Sequence, residues 1–259
     1  MKGPYFFRLS DNRIRLLHGP LELVMASEGP EEISEAAFAR GWKRFQSIYA
    51  EIGRERDLLS APLGEQPPEF EGRLAERMLA ATWPFRALKL APATAAAGVI
   101  AEEILEAMLP AIPLRTASVD MRGRIALWLH QEEKLVIETA GLHGWAEPAA
   151  MIVVAEEDDA RGVSTSKGPD TMPCTVTALA HRAAEADLAA ALIARIASSG
   201  ETREDALARA QAEAELLLDS GIILGAALLL HGETRVIGAR SSLLPHAGFG
   251  QIFTDPEGD

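Results

Sequence analysis

The sequence predicts an α+β fold with mixed or antiparallel sheets flanked by helices. Short segments bounded by turn residues occur in consecutive runs at the start, in the middle and at the end of the chain. Long helical patterns separate these runs, which favours α+β over a regular βαβ array. Neither a repeat with a period of roughly 20–50 residues nor a clear linker is present. We therefore predict a single domain over residues 1–259, with a polar C-terminal tail at 245–259.

The first part of the chain predicts three strands followed by a long helix. The strands are Tyr5–Leu9, Arg13–Leu17 and Leu21–Ala26, and turn residues separate them. The helix runs from about Glu31 to Ile52, and its aromatic residues recur at spacings of four, three and four. These are Phe38, Trp42, Phe45 and Tyr49. That spacing places them on one helical face, which is typical of core packing.

The next part predicts a loop at 58–72, a short helix at 73–81 and a segment of small residues at Ala91–Gly98. Small residues at a helix start allow another backbone or a ligand to come close. The helix that follows has apolar side chains on one side and Glu102, Glu103 and Glu106 on the other. The three acids predict a solvated face, and the alternative is paired carboxylates for acid–base chemistry.

The remaining part predicts further strands, two helices and one polar loop. The loop is 162–170, with Ser164, Ser166 and Gly168, and the helices are 183–198 and 201–218. The strands are 116–120, 124–129, 134–139, 151–155, 174–180, 222–230 and 234–237. The loop hydroxyls, with Lys167, suit phosphate oxygens, although the same composition is typical of a surface turn. Arg122 and Arg124 alternate, so we expect them on one strand face, holding a phosphate or facing solvent.

Composition and charge exclude several classes of function. The formal net charge of −13 comes from 38 acidic and 25 basic residues, so nucleic acid and anionic membranes are poor partners. Cys174 is the only cysteine, which excludes an internal disulfide and a thiolate-rich metal site. The six histidines include no pair at helical spacing, and no apolar run reaches the ~20 residues of a membrane span. We therefore expect a cytoplasmic protein.

Two stretches of the sequence show a family resemblance. The first is Pro92–Leu105 followed by Asp120–Leu127, and the second is Ser164–Asp170 followed by Thr175–Ala180 and Ala184–Ala194. In order and spacing they resemble an uncharacterised prokaryotic protein family of the ApbE-like superfamily, over roughly Gly19 to Gly238. Relatives of that family are FAD:protein FMN transferases, formerly described as the thiamine-biosynthesis lipoprotein ApbE.

The resemblance implies an ApbE-like fold that holds a flavin, FAD or FMN, where the small-residue helix meets the central strands. It also implies which residues line that site. The candidate cofactor-binding residues are Thr94, Ala96, Gly98, Asp120, Arg122, Ser164, Ser166, Gly168 and Asp170.

The resemblance further implies a magnesium ligand, Asp187. The transferases carry an Ala-Asp helix in which the Asp and a Thr four residues later help to hold magnesium, since such positions share a helical face. Ala186-Asp187 is present here, but the Thr position is Ala191. The alternative is that Asp187 is a partly exposed acid favoured near a helix start by the helix dipole.

Other departures bear on activity. Related sequences read Asn-Asn-Gly-Gly-Asp where this chain has Asp120–Arg124, and a His-His-Ile-x-Asp-Pro segment where it has Thr165–Asp170. Our leading hypothesis is a protein that binds a flavin or another small anionic ligand and has lost transfer chemistry. One alternative is a magnesium-dependent enzyme acting on a flavin nucleotide, by FMN transfer or FAD hydrolysis. Another is a non-catalytic interaction or structural protein with a filled pocket. A homo-oligomer is a further alternative, because the strands and the long aromatic helix leave apolar surface that a second copy could cover.

Overall fold

The structure is a computed structural model that describes residues 3–9, 12–109, 113–141, 144–169, 173–230, 233–238 and 243–245. Within these residues the chain forms twelve strands and six α-helices, and each strand pair is antiparallel. The predicted α+β class is thereby confirmed. No described helix is both long and apolar enough to cross a membrane. The predicted tail lies outside the described residues from 246 onward.

Nine strands form one large sheet in the order β1-β2-β3-β4-β5-β8-β9-β10-β11. Their bounds are β1 Tyr5–Arg8, β2 Arg13–His18, β3 Leu21–Glu28, β4 Thr116–Asp120, β5 Arg124–Leu129, β8 Gly162–Lys167, β9 Cys174–Ala180, β10 Gly225–Leu230 and β11 Glu233–Gly238. A smaller sheet has the order β12-β7-β6. It consists of β6 Lys134–Gly141, β7 Gly144–Ala155 and β12 Leu243–Pro245.

The α-helices are α1 Glu31–Arg54, α2 Arg56–Ser60, α3 Arg73–Thr82, α4 Ala96–Met108, α5 Ala183–Ala197 and α6 Arg203–Asp219. One core lies between these helices and the large sheet, and it contains the buried stripe residues Phe38 and Phe45. A second, smaller core includes Leu127, Val163 and Ile152, so β6 and β7 pack on the other face of the sheet. The central strands are therefore covered on both faces.

The predicted polar loop at 162–170 is wrong for most of its length. Residues Gly162–Lys167 form β8, a central strand, and Gly168 and Pro169 follow it while Asp170 lies outside the described residues. The small residues are required because a Cβ at position 162 would lie 2.2 Å from the carbonyl carbon of Arg182. Ser164 and Ser166 are buried, and strand alternation places them on one face. Close packing against the Ala-rich helix α5 therefore requires small residues in β8, and a segment of small polar residues has the composition of a loop.

The predicted solvated face of α4 is also wrong. Glu102 and Glu103 are each only 8% exposed, whereas the side chain of Glu106 is 50% exposed. The predicted loop at 58–72 begins inside a short helix, because α2 extends to Ser60. Helix α4 carries acids on a side that other helices cover, so polarity alone did not reveal its burial.

Candidate functional site

Asp187 is the centre of a buried polar cluster on α5. It is only 4% exposed, so the expectation of a partly exposed acid is wrong. The Nε of Arg124 donates to its Oδ1 at 2.9 Å, and the Ser164 hydroxyl lies at 3.5 Å from the same oxygen. The backbone N–H of Gly98 also favours the charged form of this carboxylate. Three donors from three other elements, β5, β8 and α4, therefore surround one side chain.

Helices α4 and α5 each present a buried acid to the other at this junction. Neither helix has a side-chain cap from its own N-cap residue, Ala95 or Arg182. Glu102 of α4 instead accepts from the N–H of Ala184 at 2.9 Å, and Asp187 of α5 faces the first turn of α4, where the Gly98 N–H favours its charged form. Carboxylates are favourable at helix N-termini because they satisfy free N–H groups and complement the dipole. The two acids thus help to fix the position of α4 relative to α5.

Gly98 is the residue that permits this close approach. A Cβ at this position would lie 2.5 Å from the Cα of Ala184 and 2.6 Å from its backbone nitrogen. Distances that short are incompatible with a side chain, since both contacted atoms are backbone atoms. The small-residue segment predicted to admit a ligand or another backbone therefore admits a backbone here.

Arg124 is the cation of the cluster, and the sequence analysis missed it as the partner of Asp187. It begins β5 opposite Ser164 in the strand register, which brings both side chains to the helix-facing side near Asp187. Its Nη1 donates to the carbonyl of Arg122 at 2.9 Å, and its side chain is 30% exposed. The missed signal was an acid on an apolar helix, because a buried carboxylate almost always has a partner.

Arg122 and Gly123 form the two-residue turn between β4 and β5. Their φ angles are 56° and 87°, as a type I′ hairpin turn requires. Met121 and Arg124 exchange backbone hydrogen bonds across this turn, and Asp120 accepts from the N–H of Gly123 at 2.6 Å. The expectation that Arg122 and Arg124 share a strand face is therefore wrong. Arg122 is exposed in the turn, whereas Arg124 reaches inward.

The environment shifts the ionisation of both carboxylic acids near Arg124. Burial raises the pKa of Asp187 above its ordinary value, while Arg124, the Gly98 N–H and Ser164 favour the charged form and reduce that rise. Burial also raises the pKa of Asp120, against the opposing effects of the Gly123 N–H and the Arg124 guanidinium. One guanidinium therefore helps to stabilise two acids.

The other predicted residues lie around this cluster or apart from it. Thr94 and Ala96 flank the start of α4, where Thr94 is exposed. Ser166 lies two residues after Ser164 on the same face of β8 and is also buried. Its hydroxyl has no hydrogen-bond partner among the described residues. Gly168 follows the strand, where its N–H donates to the carbonyl of Cys174 at 2.9 Å. The structure thus brings together Gly98, Ser164 and Asp187, with Asp120 near their arginine.

A second set of buried charges lies further along α4, and we call it the α4 ion network. Arg77 of α3 contacts Glu102 at 2.8 Å and Glu103 at 2.6 Å. Arg44 of α1 contacts Glu103 at 2.9 Å. Further pairs connect Arg77 with Glu106, Arg44 with Glu51, and Arg182 with Glu102. Each buried acid is satisfied by a guanidinium, so the network serves to join helices.

The donor set at Asp187 does not suit a magnesium ion. Magnesium requires nearly octahedral oxygen coordination, but the groups around this carboxylate are a guanidinium, a backbone N–H and one hydroxyl. Ala191, at the position of the transferase Thr, has no side-chain oxygen. Among the described residues, no three His, Cys, Asp or Glu side chains form a group that could hold a metal. The magnesium ligand at Asp187 stays a prediction that this geometry does not favour.

Three grooves in the described surface lie away from Asp187. One is lined by charged residues at the end of α1 and before α3, and a second by residues near Leu63 and Pro84. The third lies between β1 and α1, beside Phe6 and Trp42. A ligand at the cluster would therefore contact the partly exposed Arg124 and the exposed turn rather than one of these grooves.

One family model matches this chain. The model of the family described as AbpE bacteria matches residues 7–236, whereas no curated protein matches the chain. The resemblance to flavin-transferring ApbE-like proteins stays a prediction, since neither result names a ligand or an activity. Because residues 7–236 are most of its length, the chain belongs to the family described as AbpE bacteria.

Proposed function

We propose that this protein binds a flavin nucleotide or another small anionic ligand beside the Asp187 cluster, and that it does not transfer FMN. The proposal is supported by one observation above others. Arg124 is held by Asp187 through Nε, yet its Nη2 has no protein partner among the described residues and its side chain is partly exposed. A guanidinium fixed in this way suits a phosphate oxygen.

The neighbouring turn supports the same proposal. Arg122 adds an exposed second cation, and its backbone carbonyl fixes the orientation of Arg124. The N–H of Thr165 donates to the carbonyl of Gly123 at 3.0 Å, so the turn is attached to β8 and not only to its own hairpin. Preorganised donors bind an anion with less ordering cost than mobile side chains.

The test is a titration of the purified protein with FAD, followed by flavin fluorescence. We expect saturable quenching, and roughly 10- to 150-fold weaker binding in Arg122→Gln, because one charge-assisted contact contributes roughly 1.5–3 kcal/mol. Arg122 lies in an exposed turn, so this variant should fold normally. Arg209→Gln is the matched control, since Arg209 is an exposed cation on α6. Equal affinities for the two variants, or no quenching at all, would contradict the proposal.

The burial of Asp187 favours a second candidate, a non-catalytic interaction or structural protein whose former pocket is filled. The backbone contact at Gly98 and the 4% exposure of Asp187 support it, because both close the space between α4, α5 and β8. Failure to bind FAD, FMN and inorganic phosphate in the same titration is the result expected for this candidate.

The magnesium-dependent enzyme has weaker support from the geometry. It predicts magnesium-dependent turnover of FAD that disappears in Asp187→Ala. The carboxylate that would hold the metal already accepts from Arg124, and the Gly98 N–H favours its charged form. Product analysis of FAD incubated with the protein and magnesium decides the matter, and FMN or transferred flavin among the products would favour the enzyme.

A further inference from the structure

We propose that Arg124 replaces a metal ion at Asp187, so that the protein holds this position with a cation of its own and needs no magnesium there. The first part of the proposal concerns the ligand-free chain. Its second part rests on the proposed function: an anionic ligand is bound directly by the outer N–H groups of Arg124, with no bridging metal.

The first support is the occupation of the carboxylate. Arg124 Nε lies 2.9 Å from Asp187 Oδ1, and the same oxygen faces Ser164, while the Gly98 N–H favours the charged form of the group. A carboxylate offers about four lone-pair sites, and these donors leave fewer of them for a metal ion. It would also meet the positive charge of the guanidinium at close range in a buried site, where repulsion between like charges is only weakly screened.

The second support is that Arg124 is itself fixed from two sides. Asp187 holds Nε and the carbonyl of Arg122 holds Nη1, so the guanidinium is anchored by a helix and by the β4–β5 turn. Its place in β5 directly opposite Ser164 makes this arrangement a property of the sheet register. An arginine anchored at two nitrogens offers its remaining N–H groups in one defined direction.

The third support is that the cation has a structural task that a mobile ion would otherwise perform. Asp187 faces the first turn of α4, and its charge would be costly in a buried position without a counter-ion. Arg124 meets this need permanently. The position four residues after Asp187 is Ala191, which has no oxygen to offer a metal.

Thermal unfolding of the ligand-free protein tests the first part. We expect millimolar magnesium chloride to leave the melting temperature of the wild-type protein unchanged. Arg124→Ala should melt roughly 5 °C or more below the wild type, because it leaves a buried charge unpaired. Magnesium should then raise the melting temperature of Arg124→Ala, since the space beside Asp187 has become available to a cation.

Two further variants complete this experiment. Magnesium should not stabilise Arg124→Ala/Asp187→Asn, which lacks the carboxylate, nor Arg115→Ala, which loses only an exposed ion pair with Glu133. If Arg124→Ala does not fold, Arg124→Lys keeps a cation and should remain insensitive to magnesium. Stabilisation of the wild type or of Arg124→Lys by magnesium overturns the proposal, as does a folded Arg124→Ala that magnesium leaves unchanged.

The second part is tested by titrating the wild-type protein with FMN in magnesium and in EDTA. Equal affinity in both solutions is expected, and binding that requires magnesium overturns this part. If FMN and FAD do not bind in either solution, the proposed function fails. The thermal experiment then still decides whether Arg124 stands in the place of the metal, because it uses no ligand.

Discussion

The Asp187 cluster and the α4 ion network are two solutions to the same problem, the burial of acidic side chains where α4 packs on other elements. In each, a buried acid of one helix faces the first turn of the other, and Glu102 accepts a hydrogen bond there from Ala184. Glu102 is neutralised by two guanidiniums, from Arg77 and Arg182, whereas the described residues give Asp187 one guanidinium, from Arg124, and a distant hydroxyl. The network therefore has its charges satisfied internally, and the cluster leaves part of a guanidinium available to solvent. That difference separates a helix-joining element from a candidate binding site.

The largest expected effect comes from adding a side chain at Gly98, where α4 and α5 are in close contact. Gly98→Ala should reduce the free energy of unfolding by about 3 kcal/mol, because its Cβ would meet the backbone of Ala184. Chemical denaturation measures the loss. Gly53→Ala on α1 is the matched control, since nothing lies within 4 Å of its Cβ, and alanine should stabilise that helix by about 0.5–1 kcal/mol. Similar behaviour of the two variants would show that α4 and α5 are not in close contact.

Removing the central cation of the α4 ion network should have the next largest effect. Arg77→Met is expected to cost about 1.5–3 kcal/mol, because Glu102 keeps Arg182 and Glu103 keeps Arg44, but each buried acid loses a charge-assisted hydrogen bond. Arg73→Met provides the control, since Arg73 is 74% exposed and its pair with Glu106 is 3.3 Å long. That variant should cost about 0–1 kcal/mol. Equal losses in denaturation would contradict the central place of Arg77.

Asp187→Asn should cost less than Arg77→Met, about 1–3 kcal/mol. The amide oxygen can still face the N–H of Gly98, and the released Arg124 can be hydrated because it is partly exposed. Denaturation in parallel with Arg77→Met gives the comparison. A larger loss in Asp187→Asn would mean that the cluster, not the network, carries more of the stability of the helix pair.

The smallest effect is a dependence on pH at Asp120. Its pKa is raised in the folded protein, so its contribution to stability is present below its unfolded pKa and is lost as the pH rises through its folded pKa. Asp120→Asn keeps the acceptor for Gly123 and removes the titration. The melting temperature of this variant minus that of the wild type should therefore increase from pH 3.5 towards neutral pH. A constant or falling difference would mean that the pKa of Asp120 is not raised in the folded protein.

Much of the fold could be predicted from the sequence because periodicity reports burial directly. The aromatic stripe of α1 and the strands that begin at Thr116 and Arg124 lie where their patterns place them. Glu102 and Glu103 show the limit of such patterns. An acidic face indicates solvent only when no guanidinium covers it, and Arg44 and Arg77 come from helices distant in sequence.

The sequence by itself determined the α+β class, most strands and helices, and the segments around Asp187. Only the tertiary structure decided what those segments do to one another. It made a strand of Gly162–Lys167, because a glycine- and serine-rich segment reads as a turn until an Ala-rich helix packs against it. It also paired Asp187 with Arg124, 63 residues away in the chain. Local patterns fix local backbone preferences, but partners of buried charges are set by register and packing between distant elements.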